Sequence, residues 1–240
     1  MTPSFRGYRR DFLLVSGMGA GLVLTGCSTS ALSGASEPED KAKEVMATED
    51  LMREHGVLRR ALLVYRNTAP KLRNAPAGVS ADTLNQTAKL FRTFGEDYHE
   101  RQLEEAFIFP AVRKTGGDAA ALVDVLLAQH QRGREITDYI LTSTAGGRIA
   151  NPEPMARAMD AMTLMYDEHT AREDTVLFPA WKDTLTGKQY DELSDRFEDI
   201  EHQMFGTDGF ETAVQQIAGI EQTLGLYNLA QFTAPSPPQA

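Results

Sequence analysis

The sequence predicts an all-α chain, an antiparallel four-helix bundle with additional carboxy-terminal helices, and three observations carry that expectation. From about Thr48 onward apolar residues recur at three- and four-residue steps, without a convincing run of period-two alternation. Of the five histidines, four fall in the apolar stripes of four successive helices. A carboxylate-rich segment ending in Phe-Pro also occurs twice, in the second and fourth helices, so the bundle reads as two matched halves.

The first element is an address. Residues 1–26 pair a basic start, with Arg6, Arg9 and Arg10, with an apolar run from Leu13 to Leu24 that at about 12 residues is too short to span a bilayer. Arg9-Arg10-Asp11-Phe12-Leu13 resembles a twin-arginine export signal, and Leu24-Thr25-Gly26-Cys27 resembles a lipobox. The expectation is a signal peptide over 1–26, a lipid on Cys27, a flexible tether over 27–47 and a location on the periplasmic side of the cell envelope, held to a membrane through Cys27. The single cysteine excludes a disulfide framework and a thiolate metal cage.

The folded part is expected over 48–225. Leu51, Leu58, Leu62 and Tyr65 mark a first helix over about 48–67, with His55 in the same stripe. Ser80 is the expected N-cap of a second helix carrying Leu84, Ala88 and Phe91 toward His99 and Pro110, with Gly116 and Gly117 behind it. A third helix over about 118–143 aligns Val123, Leu126, His130, Thr137 and Ile140. Asn151 is the expected N-cap and Pro152 the first residue of a fourth helix, in which Met162, Met165 and Tyr166 lead to His169. Helices over about 187–205 and 209–223 follow, and 226–240 reads as a tail. Met159, Met162 and Met165 read as core filling.

The chain carries a formal net charge of −10, and removing the +2 of residues 1–26 leaves −12. That acidity argues against nucleic acid as a partner and against electrostatic binding to anionic lipid, so membrane attachment is expected through something covalent or inserted.

The repeat aligns Glu104-Glu105-Ala-Phe-Ile-Phe-Pro110 with Glu173-Asp174-Thr-Val-Leu-Phe-Pro179, each after a histidine. His169 and Glu173 are four apart and share a helix face. His99 and Glu104 are five apart, about 140° around an ideal helix, so they meet one centre only through a π-bulge or the reach of the Glu arm. Glu100 and Glu105 compete for that place, and alignment with Glu173 favours Glu104. Burying four imidazoles and two carboxylates costs several kcal/mol per charge, a cost that bound metal offsets. The candidate ligands are therefore His55, His99, Glu104, His130, His169 and Glu173. Imidazole with carboxylate suits iron, manganese or zinc, and carboxylates that bridge helices suit two ions. Among these histidines only Glu96-x-x-His99 fits the Glu-x-x-His motif of ferritin-like bundles, which disfavours that architecture. His202 falls opposite the apolar side of the fifth helix and is not expected to be a ligand.

With these residues in view, the chain resembles the hemerythrin-like, HHE cation-binding proteins over roughly residues 48–205. The resemblance implies an antiparallel bundle around two non-haem iron ions, oxo- or hydroxo-bridged, that react reversibly with dioxygen. It departs from the family's oxygen carriers in two places. Those have two histidines four apart in the third helix, where Arg134 follows His130 here, and their second-helix spacing is four rather than five. The expected function is binding or sensing of dioxygen, nitric oxide or peroxide. A di-iron enzyme reducing peroxide or nitric oxide, and an iron-handling protein, remain alternatives; Tyr65, Tyr98 and Tyr166 are the candidate proton donors.

Overall fold

A computed structural model describes residues 45–206 and 208–238. The export signal, Cys27 and all but the last three residues of the expected tether lie outside the described residues.

The described chain is helical, without strands. Helix α1 spans Ala47–Asn74. Helix α2 runs without a break through an α-helical start, Ala81–Leu90, a π-wound stretch, Phe91–Ile108, and an α-helical end, Phe109–Arg113. Helix α3 is Gly117–Thr144. Helix α4 repeats the pattern of α2, with Pro152–Arg172, a π-wound Glu173–Leu177 and Phe178–Lys182. Helices α5, Gly187–Phe205, and α6, Gly209–Leu224, follow.

Local chemistry accounts for most boundaries. Ser80 Oγ accepts from Thr83 N, Thr186 and Gln189 form a reciprocal capping box, and Asp208 accepts from Glu211 N. Gly206 and Gly225 close α5 and α6 at φ 71° and 70°, a conformation that costs a side-chain-bearing residue energy. Two expectations need correction. Helix α1 continues through Pro70 to Asn74, because Leu72 and Ala69 bury there and outweigh the lost backbone bond. Asn151 precedes α4, but its side chain makes no capping bond.

Helix α1 packs along α4 and α2 along α3, with further α1–α2 and α3–α4 contacts, so the four enclose one core. Tyr65, Phe91, Phe94, Tyr98, Phe109, Phe178 and Trp181 are fully buried in it, and Met159 and Met162 fill it as expected. Truncating one such aromatic to alanine costs about 3–5 kcal/mol. Helices α5 and α6 close the outside. Ser194 Oγ accepts from Ala47 N at 3.0 Å, Tyr190 Oη accepts from Thr48 N at 3.0 Å, and Arg60 grips Glu221 through two bonds of 2.9 and 2.5 Å. Among the described residues no helix is long and apolar enough to cross a membrane.

Candidate metal centre

All four stripe histidines and both repeat glutamates converge on one point inside the bundle. His55, His99, Glu104, His130, His169 and Glu173 are each at most 3% exposed. His55 Nε2 lies 3.0 Å from His99 Nε2, and His130 Nε2 lies 3.1 Å from His169 Nε2. The histidines thus form two pairs, one from α1 and α2 and one from α3 and α4. Between the pairs stand the carboxylates. Glu104 points Oε1 at His99 Nε2, 3.4 Å away, and Oε2 at His130 Nε2, 3.3 Å away. Glu173 Oε2 is 3.0 Å from His169 Nε2 and 3.4 Å from His55 Nε2.

These separations fit bound cations. Two donor atoms each about 2.1 Å from an ion and at right angles lie about 3.0 Å apart. Among the described residues Glu104 belongs to two of three groups able to hold an ion, one with His55 and His99, the other with His130, His169 and Glu173; the third, Glu100 and Glu105 with His130, lacks it. All four oxygens of Glu104 and Glu173 are buried without a hydrogen-bond partner. With every Nδ1 turned outward to an acceptor, a neutral ring presents its Nε2 lone pair inward. Lone pairs facing carboxylate oxygens in a dry core repel unless a cation lies among them.

The outward bonds repeat in both halves. His55 Nδ1 meets Asp174 Oδ1 at 2.7 Å and His130 Nδ1 meets Glu105 Oε1 at 2.9 Å. His99 Nδ1 meets Glu54 Oε2 at 2.5 Å and His169 Nδ1 meets Gln129 Oε1 at 2.9 Å. Each acceptor is the chain neighbour of another centre residue: Glu54 of His55, Gln129 of His130, Glu105 of Glu104, Asp174 of Glu173. Arg59 donates to Asp174 and Thr170, and Arg134, four residues after His130 as Arg59 is after His55, donates to Glu105 and Glu100. Phe178 stacks on His55 at 5.4 Å and Phe109 on His130 at 5.3 Å, so each Phe of a Phe-Pro pair braces a histidine.

Burial opposes charge on His55, His99 and His130, yet their surroundings win. Asp174 and Glu173 raise His55, and Glu104 with Glu54 holds His99 well above its usual range. Glu100, Glu104 and Glu105 do the same for His130. Glu173 is lowered despite burial, by His169 and His55. The pocket therefore favours positive charge, which a metal supplies while displacing protons.

Helix winding explains how the five-residue step works. Phe109 N donates to Glu104 O and Phe178 N to Glu173 O, both i to i−5 bonds, so each π stretch ends at a Phe-Pro pair. In α2 the π winding includes His99 and returns Glu104 to its face; in α4 it begins only at Glu173, so His169 keeps the four-residue step.

Other candidates sit elsewhere. Glu100 and Glu105 share Arg134, and Glu100 also accepts from Tyr166 Oη at 2.7 Å, so their cation is a guanidinium. Glu96 is buried on Thr137 and Arg92, away from the histidine pairs. His202 is exposed on α5. Tyr65 and Tyr98 are core residues, and Tyr166 packs beside His169 with ring centres 5.3 Å apart. The outer partners Glu54, Gln129 and Asp174 had no role in the sequence reading, and Glu105 entered it only as a competing ligand; the one signal available was their adjacency to a centre residue in both halves.

The model of the hemerythrin HHE cation-binding domain matches residues 46–181. Proteins of Mycobacterium bovis and of two Mycobacterium tuberculosis strains, each carrying only the name uncharacterized protein, are 41% identical over 240 residues, 97% of this chain and 93% of theirs. No solved structure matches.

Proposed function

The chain belongs to the hemerythrin HHE cation-binding family, and on that premise we propose that it is a non-haem di-iron protein that binds or senses dioxygen or a related small ligand at the cell envelope. One observation carries the reading: four carboxylate oxygens without partners stand among four inward imidazole nitrogens, in two groups that share Glu104. The ligands are His55 and His99 for one ion and His130 and His169 for the other, with Glu104 and Glu173 between them. When bound, iron supplies reversible electron exchange with the small ligand. The protein's own part is to hold the four imidazoles by their Nδ1 atoms and to keep bulk water out.

The test is anaerobic loading with iron(II), counting iron per chain, followed by dioxygen, peroxide and nitric oxide in turn. Two irons per chain and a stable adduct spectrum that reverses on ligand removal support the reading. Fewer than two irons, or continuous consumption of the ligand, overturns it.

The envelope location rests on Arg9, Arg10 and Cys27. Replacing both arginines by lysine traps the precursor inside the cell under this reading, and Cys27→Ala releases the exported protein from membranes. Normal export of the first variant or membrane retention of the second removes the argument.

A further inference from the structure

The two halves of the centre match almost residue for residue in their outer bonds, and the mismatch falls on one pair. Asp174 with Arg59 supports His55, and Glu105 with Arg134 supports His130; each is a carboxylate held by an arginine. The remaining pair differs in kind. His99 gives its Nδ1 proton to a carboxylate, Glu54, at 2.5 Å, and His169 gives its proton to a neutral amide, Gln129, at 2.9 Å. Glu54 is 1% exposed, and its other oxygen, Oε1, has no hydrogen-bond partner. Gln129 is only partly buried. The second half does hold an additional carboxylate, Glu100, but Arg134 and Tyr166 take its oxygens and it stands 3.8 Å from His130 Nδ1, outside bonding distance.

A carboxylate that accepts from the outer nitrogen of an imidazole pushes electron density to the inner one and strengthens its bond to a metal; a neutral amide does so weakly. Of the four imidazoles, His169 alone has the neutral partner.

We propose that Glu54 and Gln129 make the two metal positions unequal: the ion between His55 and His99 would be the tightly held one, and the ion between His130 and His169 the exchangeable one. Glu54 and Gln129 are positioning residues, acting through His99 and His169. The inference rests on the di-iron reading above and adds an order to it. Iron entering an empty centre fills the His55–His99 position first and leaves it last.

The experiment is a stepwise titration of the metal-free full chain with ⁵⁷Fe(II) under nitrogen, followed by Mössbauer spectra at one and two equivalents. The expected parent result is two binding steps separated by about 10- to 100-fold in affinity, the range over which such outer partners act. One quadrupole doublet is expected at one equivalent and a second at two. Gln129→Glu gives the second half its missing carboxylate and is expected to tighten the second step by about 10-fold and draw the doublets together. Glu54→Gln is expected to weaken the first step by a similar factor. A gain from Gln129→Glu is an effect that loss of folding cannot imitate, so the proposal stays open to failure if Glu54→Gln does not fold. A parent that takes up two irons with one affinity, or a Gln129→Glu chain whose second step does not move, overturns the inference and leaves the di-iron reading standing. A parent that takes up fewer than two overturns both.

Discussion

Helices α2 and α4 deliver the same pair of side chains, a histidine and a glutamate, to the same centre by different windings. In α4 the pair is four residues apart on ordinary α-helix, and the π turn starts at the glutamate. In α2 the pair is five apart, and the π winding already runs from Phe91. From histidine to the Phe of Phe-Pro, α2 has one residue more than α4, and the looser winding absorbs it. What is held constant is the place where the carboxylate meets the imidazoles, with His–Glu separations of 3.4 Å in α2 and 3.0 Å in α4. Spacing in the sequence is therefore free to vary where winding compensates.

The comparison breaks most severely at the carboxylates themselves. If the proposed di-iron reading holds, Glu104→Ala and Glu173→Ala are both expected to fall from about two irons per chain to less than one, because each would remove a carboxylate standing between the two histidine pairs. Iron content and loss of the near-ultraviolet charge-transfer bands measure it. One variant keeping full iron would show that its helix does not serve the centre.

Next come the arginines behind the two helices. Arg134 is 8% exposed and holds two carboxylates, so Arg134→Gln leaves buried charge unpaired and is expected to cost about 3–5 kcal/mol in denaturant unfolding. Arg59 has 43% of its side chain exposed, and Arg59→Gln is expected to cost under about 1 kcal/mol. Equal costs would mean the two halves are more alike in energy than in burial.

The spacing can be equalised directly. Deleting Gln102, which is exposed, gives α2 the four-residue step of α4. The shortened chain is expected to retain two irons, with iron affinity reduced by less than about 10-fold. Complete loss of iron would show that the long π stretch, and not the meeting point, is what the centre requires.

The smallest effect tests a group away from both helices' ligands. Burial, against the Phe210 N–H and with Glu54 and Asp50 alongside, pushes Glu201 up to about 8. A carboxyl whose folded value is raised keeps its proton longer in the folded chain, so stability falls as pH rises from about 5 to about 8. Glu201→Gln is expected to flatten that part of the profile of thermal midpoint against pH. An unchanged slope would remove Glu201 as its source.

The sequence made the bundle legible because its apolar period is uninterrupted and its histidines lie within the stripes. The awkward step from His99 to Glu104 offered π winding as one of two solutions, beside the reach of the Glu arm, and the helix takes the first. The end of α1 was not legible, since the stripe was followed only as far as Tyr65 and tertiary packing of Ala69 and Leu72 carries the helix on to Asn74. The outer partners were illegible for a different reason. Glu104-Glu105 and Glu173-Asp174 are adjacent carboxylates of similar chemistry, and only the rotation of the helix decides which points inward and which reaches across to a neighbour's histidine. The interest of Gln129 likewise appears only when it is seen opposite Glu54.

The clasp on the first turn of α1 also has a mechanical consequence. Unsupported helix ends open and close turn by turn, and His55 lies little more than two turns from Ala47. Ser194 and Tyr190 tie down the backbone N–H groups of Ala47 and Thr48, groups that a helix start leaves without partners of its own. Fraying that starts at Ala47 is then opposed by α5 before it can reach the turn that carries Glu54 and His55.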